Sequence, residues 1–137
     1  MEFYENLVMW YLTRKKYVFV SPQYPILGKT GKEWSYPDFV ALNFKDKEVS
    51  IVEVSTAFYP DSLIRKVKDR SSQWIDKLKG QLKRYRVIDD DWKSFKIEVF
   101  IRKSAKDKFM KAIGNPPDVS IKILEKLSVP WEWKRTV

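Results

Sequence analysis

An α/β domain is predicted by three features of the chain: a helical apolar periodicity near its start, two β-branched runs joined by a short charged turn, and a long basic helix followed by another strand. Leu7, Val8, Tyr11 and Leu12, with Phe3 and Tyr4 a turn earlier, recur at helical spacing and place a first helix over residues 2–14. Tyr17-Val18-Phe19-Val20 is β-branched and aromatic, the composition of a short strand. Residues 21–37 hold three prolines and two glycines, which break regular structure, so a long loop is expected there.

Residues 38–44 and 49–56 then read as strands, and Lys45-Asp46-Lys47-Glu48 between them has hairpin length. Pro60, Asp61 and Ser62 are helix start signals, and the helix they open is expected to run to residue 86. Its buried stripe would be Leu63 or Ile64, Val67, Ser71, Trp74, Leu78, Leu82 and Tyr85, with Gly80 bending it or allowing close packing. After Asp89-Asp90-Asp91, residues 94–102 alternate Phe95, Ile97, Val99 and Ile101 against Lys96, Glu98 and Phe100, predicting a strand with an inner and a more polar outer face. Residues 105–113 form a short helix closed by Gly114, Asn115 and two prolines, and residues 119–124 a last strand. Pro130-Trp131-Glu132-Trp133 is too irregular to place. The order is αβββαβαβ, with the long loop after the first strand.

A chain of 137 residues has the length of one domain, and 44% hydrophobic residues with only four glycines exclude wholesale disorder. Without Cys or His there is no disulfide framework, no thiolate or imidazole metal site and no Ser-His or Cys-His nucleophile pair. Acid–base or metal chemistry therefore falls to carboxylates, lysines, tyrosines or water. No apolar stretch approaches the roughly 20 residues of a membrane span, and Met1-Glu2-Phe3-Tyr4-Glu5 lacks the basic head of a signal peptide. A cytoplasmic protein is expected, the cytoplasm being the host's if the chain is viral. The excess of 27 Lys and Arg over 18 Asp and Glu favours a polyanionic partner.

The hairpin carries two carboxylates where a buried strand prefers apolar residues. Along the second strand Val49, Ile51, Glu53 and Ser55 share a face, and Asp38, at the start of the first strand, falls near the far end of its partner, where Glu53 lies. Two carboxylates meeting in a half-buried place raise each other's pKa unless a cation separates them, and oxygen ligands suit Mg²⁺.

Pro37-Asp38 followed by Glu53-Val54-Ser55 on the next strand resembles the motif of the PD-(D/E)XK nuclease superfamily, the restriction-endonuclease-like fold. The order of elements is similar to that family's core, Glu5 stands where Holliday-junction resolvases carry an accessory glutamate, and Gln81 with Tyr85 fits the QxxxY pattern of RecB-like nucleases. The resemblance covers residues 2–102. It implies a central mixed β-sheet flanked by helices and a nuclease that hydrolyses phosphodiesters with Mg²⁺ or Mn²⁺, DNA being expected ahead of RNA. Asp38, Glu53 and the Val54 carbonyl would hold the metal, Glu5 would add an outer or second-metal contact, and Gln81 and Tyr85 would steady the site or the nucleic-acid backbone.

Ser55 replaces the family's usual lysine. Either a lysine has moved to the following helix, with Lys66 and Lys68 nearest in sequence and Lys77 one turn before Gln81, or the fold has kept binding and lost catalysis. Members of the family with glutamate or glutamine at that position remain active. That helix carries nine basic residues against Asp69 and Asp76, and Arg65, Lys66, Lys77, Lys83 and Arg84 are the expected phosphate contacts. Trp10, Trp34, Trp74 and Trp92 are expected in core or rim packing. Gly28-Lys29-Thr30 is not a P-loop, because Gln23 stands where the motif needs its first glycine. Lys29, Lys32, Trp34 and Tyr36 of the loop are instead expected against nucleic acid or a partner subunit, and a homodimer or a protein docked on the loop and the aromatic tail is the remaining expectation.

Overall fold

In the computed structural model, which describes residues 2–28 and 30–127, two layers of helix enclose one mixed β-sheet. Lys29 and the tail with Trp131 and Trp133 lie outside the described residues. The elements in order are α1 (Phe3–Thr13), β1 (Val18–Pro22), β2 (Ile26–Leu27), β3 (Glu33–Ser35), β4 (Phe39–Asn43), β5 (Glu48–Ser55), α2 (Asp61–Lys68), a π-helical turn (Ser71–Ile75), α3 (Asp76–Arg84), β6 (Ser94–Ile101), α4 (Lys106–Ile113) and β7 (Val119–Ile123). Apart from the small β2–β3 ribbon inside the long loop, this is the order read from the sequence.

The sheet runs β1-β4-β5-β6-β7. β1, β4 and β5 form an antiparallel meander in which Pro22 pairs with Phe39 and Phe39 with Val52. β5, β6 and β7 are parallel, with Glu53 opposite Val99 and Ile101 opposite Ile123. Parallel neighbours need crossovers, supplied here by the α2–α3 segment and by α4. Both crossover segments bury Leu63, Val67, Trp74, Leu78, Leu82 and Phe109 against Val49, Ile51, Ile97, Val99 and Ile101. α1 covers the other face with Val8 and Leu12 on Phe39, Val52 and Phe100. Phe100 is thus fully buried on the face expected to be polar, because α1 packs there.

The long helix departs from its predicted stripe. A π turn over Ser71–Ile75 interrupts it, where one uninterrupted α-helix was expected. Trp74, Leu78 and Leu82 are buried as expected, whereas Ser71 and Tyr85 are exposed. Tyr85 lies at the C-cap, out of helical geometry. Gly80 faces open space, so it admits no close neighbour. Trp74 and Trp92 belong to the core, while Trp10 and Trp34 stay about half exposed.

Arg70, just before the π turn, donates from Nε to Asp118 Oδ2 (2.6 Å) and from Nη2 to Oδ1 (3.0 Å), fastening the crossover to the start of β7. The guanidinium holds the Asp118 carboxyl below its ordinary value of 3.8. A depressed carboxyl contributes stability that is present above the unfolded pKa and lost as pH falls through the folded one. Asp118→Asn is therefore expected to cost about 1 kcal/mol or less at pH 7, since the pair is partly exposed, and progressively less as pH falls below the ordinary value of 3.8; urea denaturation as a function of pH checks it.

Candidate functional site

One end of the sheet gathers the acidic residues. The start of β4, the ends of β1 and β5 and the first turn of α1 meet there, and Glu5, Pro22, Gln23, Asp38 and Phe39 line a common depression. β4 begins at Phe39 while β5 continues to Ser55, so the last residues of β5 have no strand partner on that side. Side chains fill the gap. Glu53 Oε2 accepts the Asp38 backbone N–H (3.2 Å), and Asp38 Oδ2 accepts the Val54 N–H (2.7 Å).

This reciprocal exchange brings the two carboxyl groups into hydrogen-bonding contact. Glu53 is buried, and its pKa is pushed up to about 8, first by burial, then by its hydrogen bond to the Asp38 carboxyl and by the charge of Asp38. Lys66, half-buried on α2, acts in the opposite sense and favours the Glu53 anion. Of the lysines the sequence offered for the missing motif position, Lys66 is therefore the one whose charge reaches the pair. Lys68 is exposed, and Lys77 is committed elsewhere, its Nζ donating to the Ser72 carbonyl (2.7 Å) and lying 4.3 Å from the Trp34 ring centre.

Glu5 and Glu2, equivalent in the sequence, have different roles. Glu2 is the N-cap of α1 and its Oε1 accepts the Glu5 N–H (3.0 Å). Glu5 lies within electrostatic range of Asp38, and burial first, then the Asp38 charge, raises its pKa. Among the described residues no three acidic side chains come close enough together to hold a metal ion, so Glu5 stands outside the Asp38–Glu53 pair. Ser55 Oγ accepts the Ala57 N–H (3.3 Å) and shapes the turn leaving β5.

Gln81 and Tyr85 do not join this site. Gln81 is fully buried; its Nε2 donates to the Pro25 carbonyl (2.8 Å) and its Oε1 accepts the Leu27 N–H (2.8 Å), pinning the β2 segment to α3. Both ends of the amide are tied to the loop that leads into Asp38, and at 1% exposure Gln81 is out of reach of a ligand. Tyr85 is exposed at the helix end beside Arg84. Replacing Gln81 with Leu keeps the volume but leaves the Pro25 and Leu27 groups unpaired, with an expected cost of about 1–3 kcal/mol; urea denaturation and faster hydrogen exchange at the Leu27 amide check it. Trp34 completes the clasp, its Nε1 donating to the Gln73 carbonyl (2.9 Å).

The expected phosphate contacts divide. Arg65 is exposed, Lys83 pairs with Asp90 (3.1 Å), and Arg84 faces the Tyr85 ring. Cations that the sequence did not single out stand at the same sheet end as the carboxylates: Arg102 and Lys103 follow β6, and Lys106 and Lys108 begin α4. Phe58 and Tyr59, between β5 and α2, are also exposed there. The signal in the sequence was two consecutive aromatic residues in a short polar turn before Pro60. Compared with protein-family models, with curated proteins and with solved structures, the chain matches none of them.

Proposed function

We propose that the protein is a metal-dependent nuclease of restriction-endonuclease-like fold that cleaves DNA. The observation carrying this reading is the Asp38–Glu53 pair at one end of the sheet: the Asp38 N–H donates to the buried Glu53, the half-buried Asp38 accepts the Val54 N–H, and the charge of Asp38 opposes the Glu53 anion while Lys66 favours it. The mixed sheet, with an antiparallel meander feeding a parallel strand through a helical crossover, supports it as well.

Two carboxylates and a neighbouring backbone carbonyl are a hard-oxygen donor set that fits Mg²⁺, which is commonly bound through one or two carboxylates with water completing its shell. Asp38, Glu53 and the Val54 carbonyl would hold the ion; Mn²⁺ would fit the same donors. When bound, it supplies Lewis-acid polarisation of the phosphodiester and a more acidic water. Lys66 brings positive charge towards the phosphate, the task Ser55 cannot perform without a charge. Glu5, with its pKa raised, serves as a proton acceptor at the edge of the depression. The net charge of +9 draws the polyanion in.

The test is incubation of the purified protein with branched, single-stranded and duplex DNA in Mg²⁺ or Mn²⁺. Cleavage that stops with chelator and falls at least ~10³-fold in Asp38→Ala is the expected result; cleavage unchanged in that variant would remove the site. A second reading, a silent nucleic-acid-binding module, is favoured by Ser55 alone. It predicts salt-sensitive binding without cleavage, and appearance of cleavage in Ser55→Lys would mark a site complete but for its lysine.

A further inference from the structure

We propose that the strand entering this site is single-stranded, its unpaired bases stacking on Phe58 and Tyr59. The inference deepens the nuclease reading and rests on it for the chemistry, but the binding it describes can be measured without cleavage. Tyr59 is 74% exposed and Phe58 66%, consecutive residues whose rings remain in solvent. Isolated exposed apolar side chains need no explanation. Two adjacent aromatic rings at the sheet end that carries a polar site do, because water-exposed rings of that size forgo substantial burial.

Their placement is fixed. β5 ends at Ser55, so Phe58 lies three residues, at most ~10 Å of chain, beyond the strand that carries Glu53. Pro60 behind them is buried, and the Asp61 N–H donates to the Tyr59 carbonyl (2.9 Å), closing the turn into α2. The pair therefore sits on a constrained turn between two packed elements.

The surroundings select the occupant. Lys108 Nζ lies 4.7 Å from the Tyr59 ring centre and is ion-paired with Asp61 Oδ1 (2.9 Å), so it buttresses one side of the ring while Asp61 offsets its charge. Lys103 and Lys106 stand nearby in the chain, exposed, at the end of β6 and the start of α4. Exposed rings at the same sheet end as the exposed Lys103 and Lys106 are complementary to a backbone whose bases are free to stack. A duplex presents phosphates but keeps its base faces stacked inside, so it would use the lysines and leave both rings in water. A protein partner would cover the rings but gives no account of the cations around them.

The experiment is fluorescence anisotropy with labelled single-stranded and duplex DNA of equal length, in chelator at one salt concentration, on the full chain. Single-stranded DNA is expected to bind at least ~10-fold tighter than duplex, and Phe58→Ala/Tyr59→Ala to lose ~10-fold or more for the single strand with little change for duplex. Phe58→Trp/Tyr59→Trp should keep the preference, and Phe19→Ala, which removes a ring of equal exposure elsewhere, should not alter it. Equal affinity for both DNAs, or a double variant that binds like the unaltered protein, would overturn the proposal while leaving the nuclease reading intact. Preference for the single strand that is lost in the double variant upholds it, even if no DNA is cleaved in Mg²⁺; that outcome would count against the nuclease reading alone.

Discussion

Glu53→Gln is expected to raise stability by several kcal/mol at pH 9, to change nothing at pH 4, and to abolish DNA cleavage. The folded protein holds a proton on Glu53 up to about pH 8, whereas the unfolded chain releases it near 4.5. Between those values the native state binds more protons than the unfolded one, so stability falls as pH rises through the window and the full penalty is present above it. A shift of this size corresponds to on the order of 3–5 kcal/mol. Glutamine is the isostere of the protonated acid: its carbonyl can accept the Asp38 N–H, as Glu53 Oε2 does, and its amide can donate to the Asp38 carboxylate. It removes the repulsion and, with it, the second charge that a divalent cation needs. Urea denaturation of both proteins from pH 4 to pH 9 gives the difference; parallel curves over the whole range would show that the two carboxyls do not share a proton. Added Mg²⁺ should flatten the slope of the unaltered protein and leave the variant's untouched, because a cation between the carboxylates replaces the proton. A stability gain that accompanies loss of cleavage is the exchange expected where function retains an electrostatically unfavourable pair.

The sequence made the sheet and this pair legible for a simple reason. Strand alternation places Glu53 and Ile51 on one face, and a four-residue hairpin turn fixes which residue of the first strand comes opposite, so local rules alone bring Asp38 to Glu53. The same rules could not show that β4 starts two residues too late to pair Val54, which is why the carboxylates complete the ladder themselves. The long helix was less legible because a phase calculation assumes one period throughout, and the π turn at Ser71–Ile75 breaks it. Ser71 opens that turn and Tyr85 is the C-cap past the last helical residue, so both leave the stripe, while Gln81, read from its pattern with Tyr85, turns into the core to hold the loop. Phe100 was misplaced because periodicity along a strand carries no record of which layer covers its second face; only the docking of α1 supplies that. Lys66 could not be separated from Lys68 by spacing, since choosing between them requires the angle at which α2 leaves β5.

Trp74→Ala is expected to cost about 3–5 kcal/mol, which for a domain with a total of about 5–15 kcal/mol brings the protein close to unfolding at ambient temperature. Trp74 is the largest of the fully buried side chains and sits inside the π turn, packed with Leu78, Ile51 and Ile97 in the main core. Trp74→Ala removes the one buried side chain of that turn, and the segment is then expected to relax towards α-helical winding and rotate α3 relative to the sheet. Such a rotation would draw Gln81 away from Pro25 and Leu27, and Gln73 away from Trp34, releasing the loop that delivers Asp38 to Glu53. The indole Nε1 has no hydrogen-bond partner among the described residues, so the native ring carries a polar group that burial leaves unsatisfied. Trp74→Phe discards that group, a gain of about 1–3 kcal/mol that offsets much of the smaller ring's lost packing, and should leave a net change within about 1 kcal/mol. Urea denaturation ranks the two variants, and hydrogen exchange at the Leu27 and Asp38 amides reports on the loop. Equal destabilisation by Phe and Ala would show that the indole's shape, and not its bulk, holds the turn; Ala with both amides still protected would separate the π turn from the site altogether.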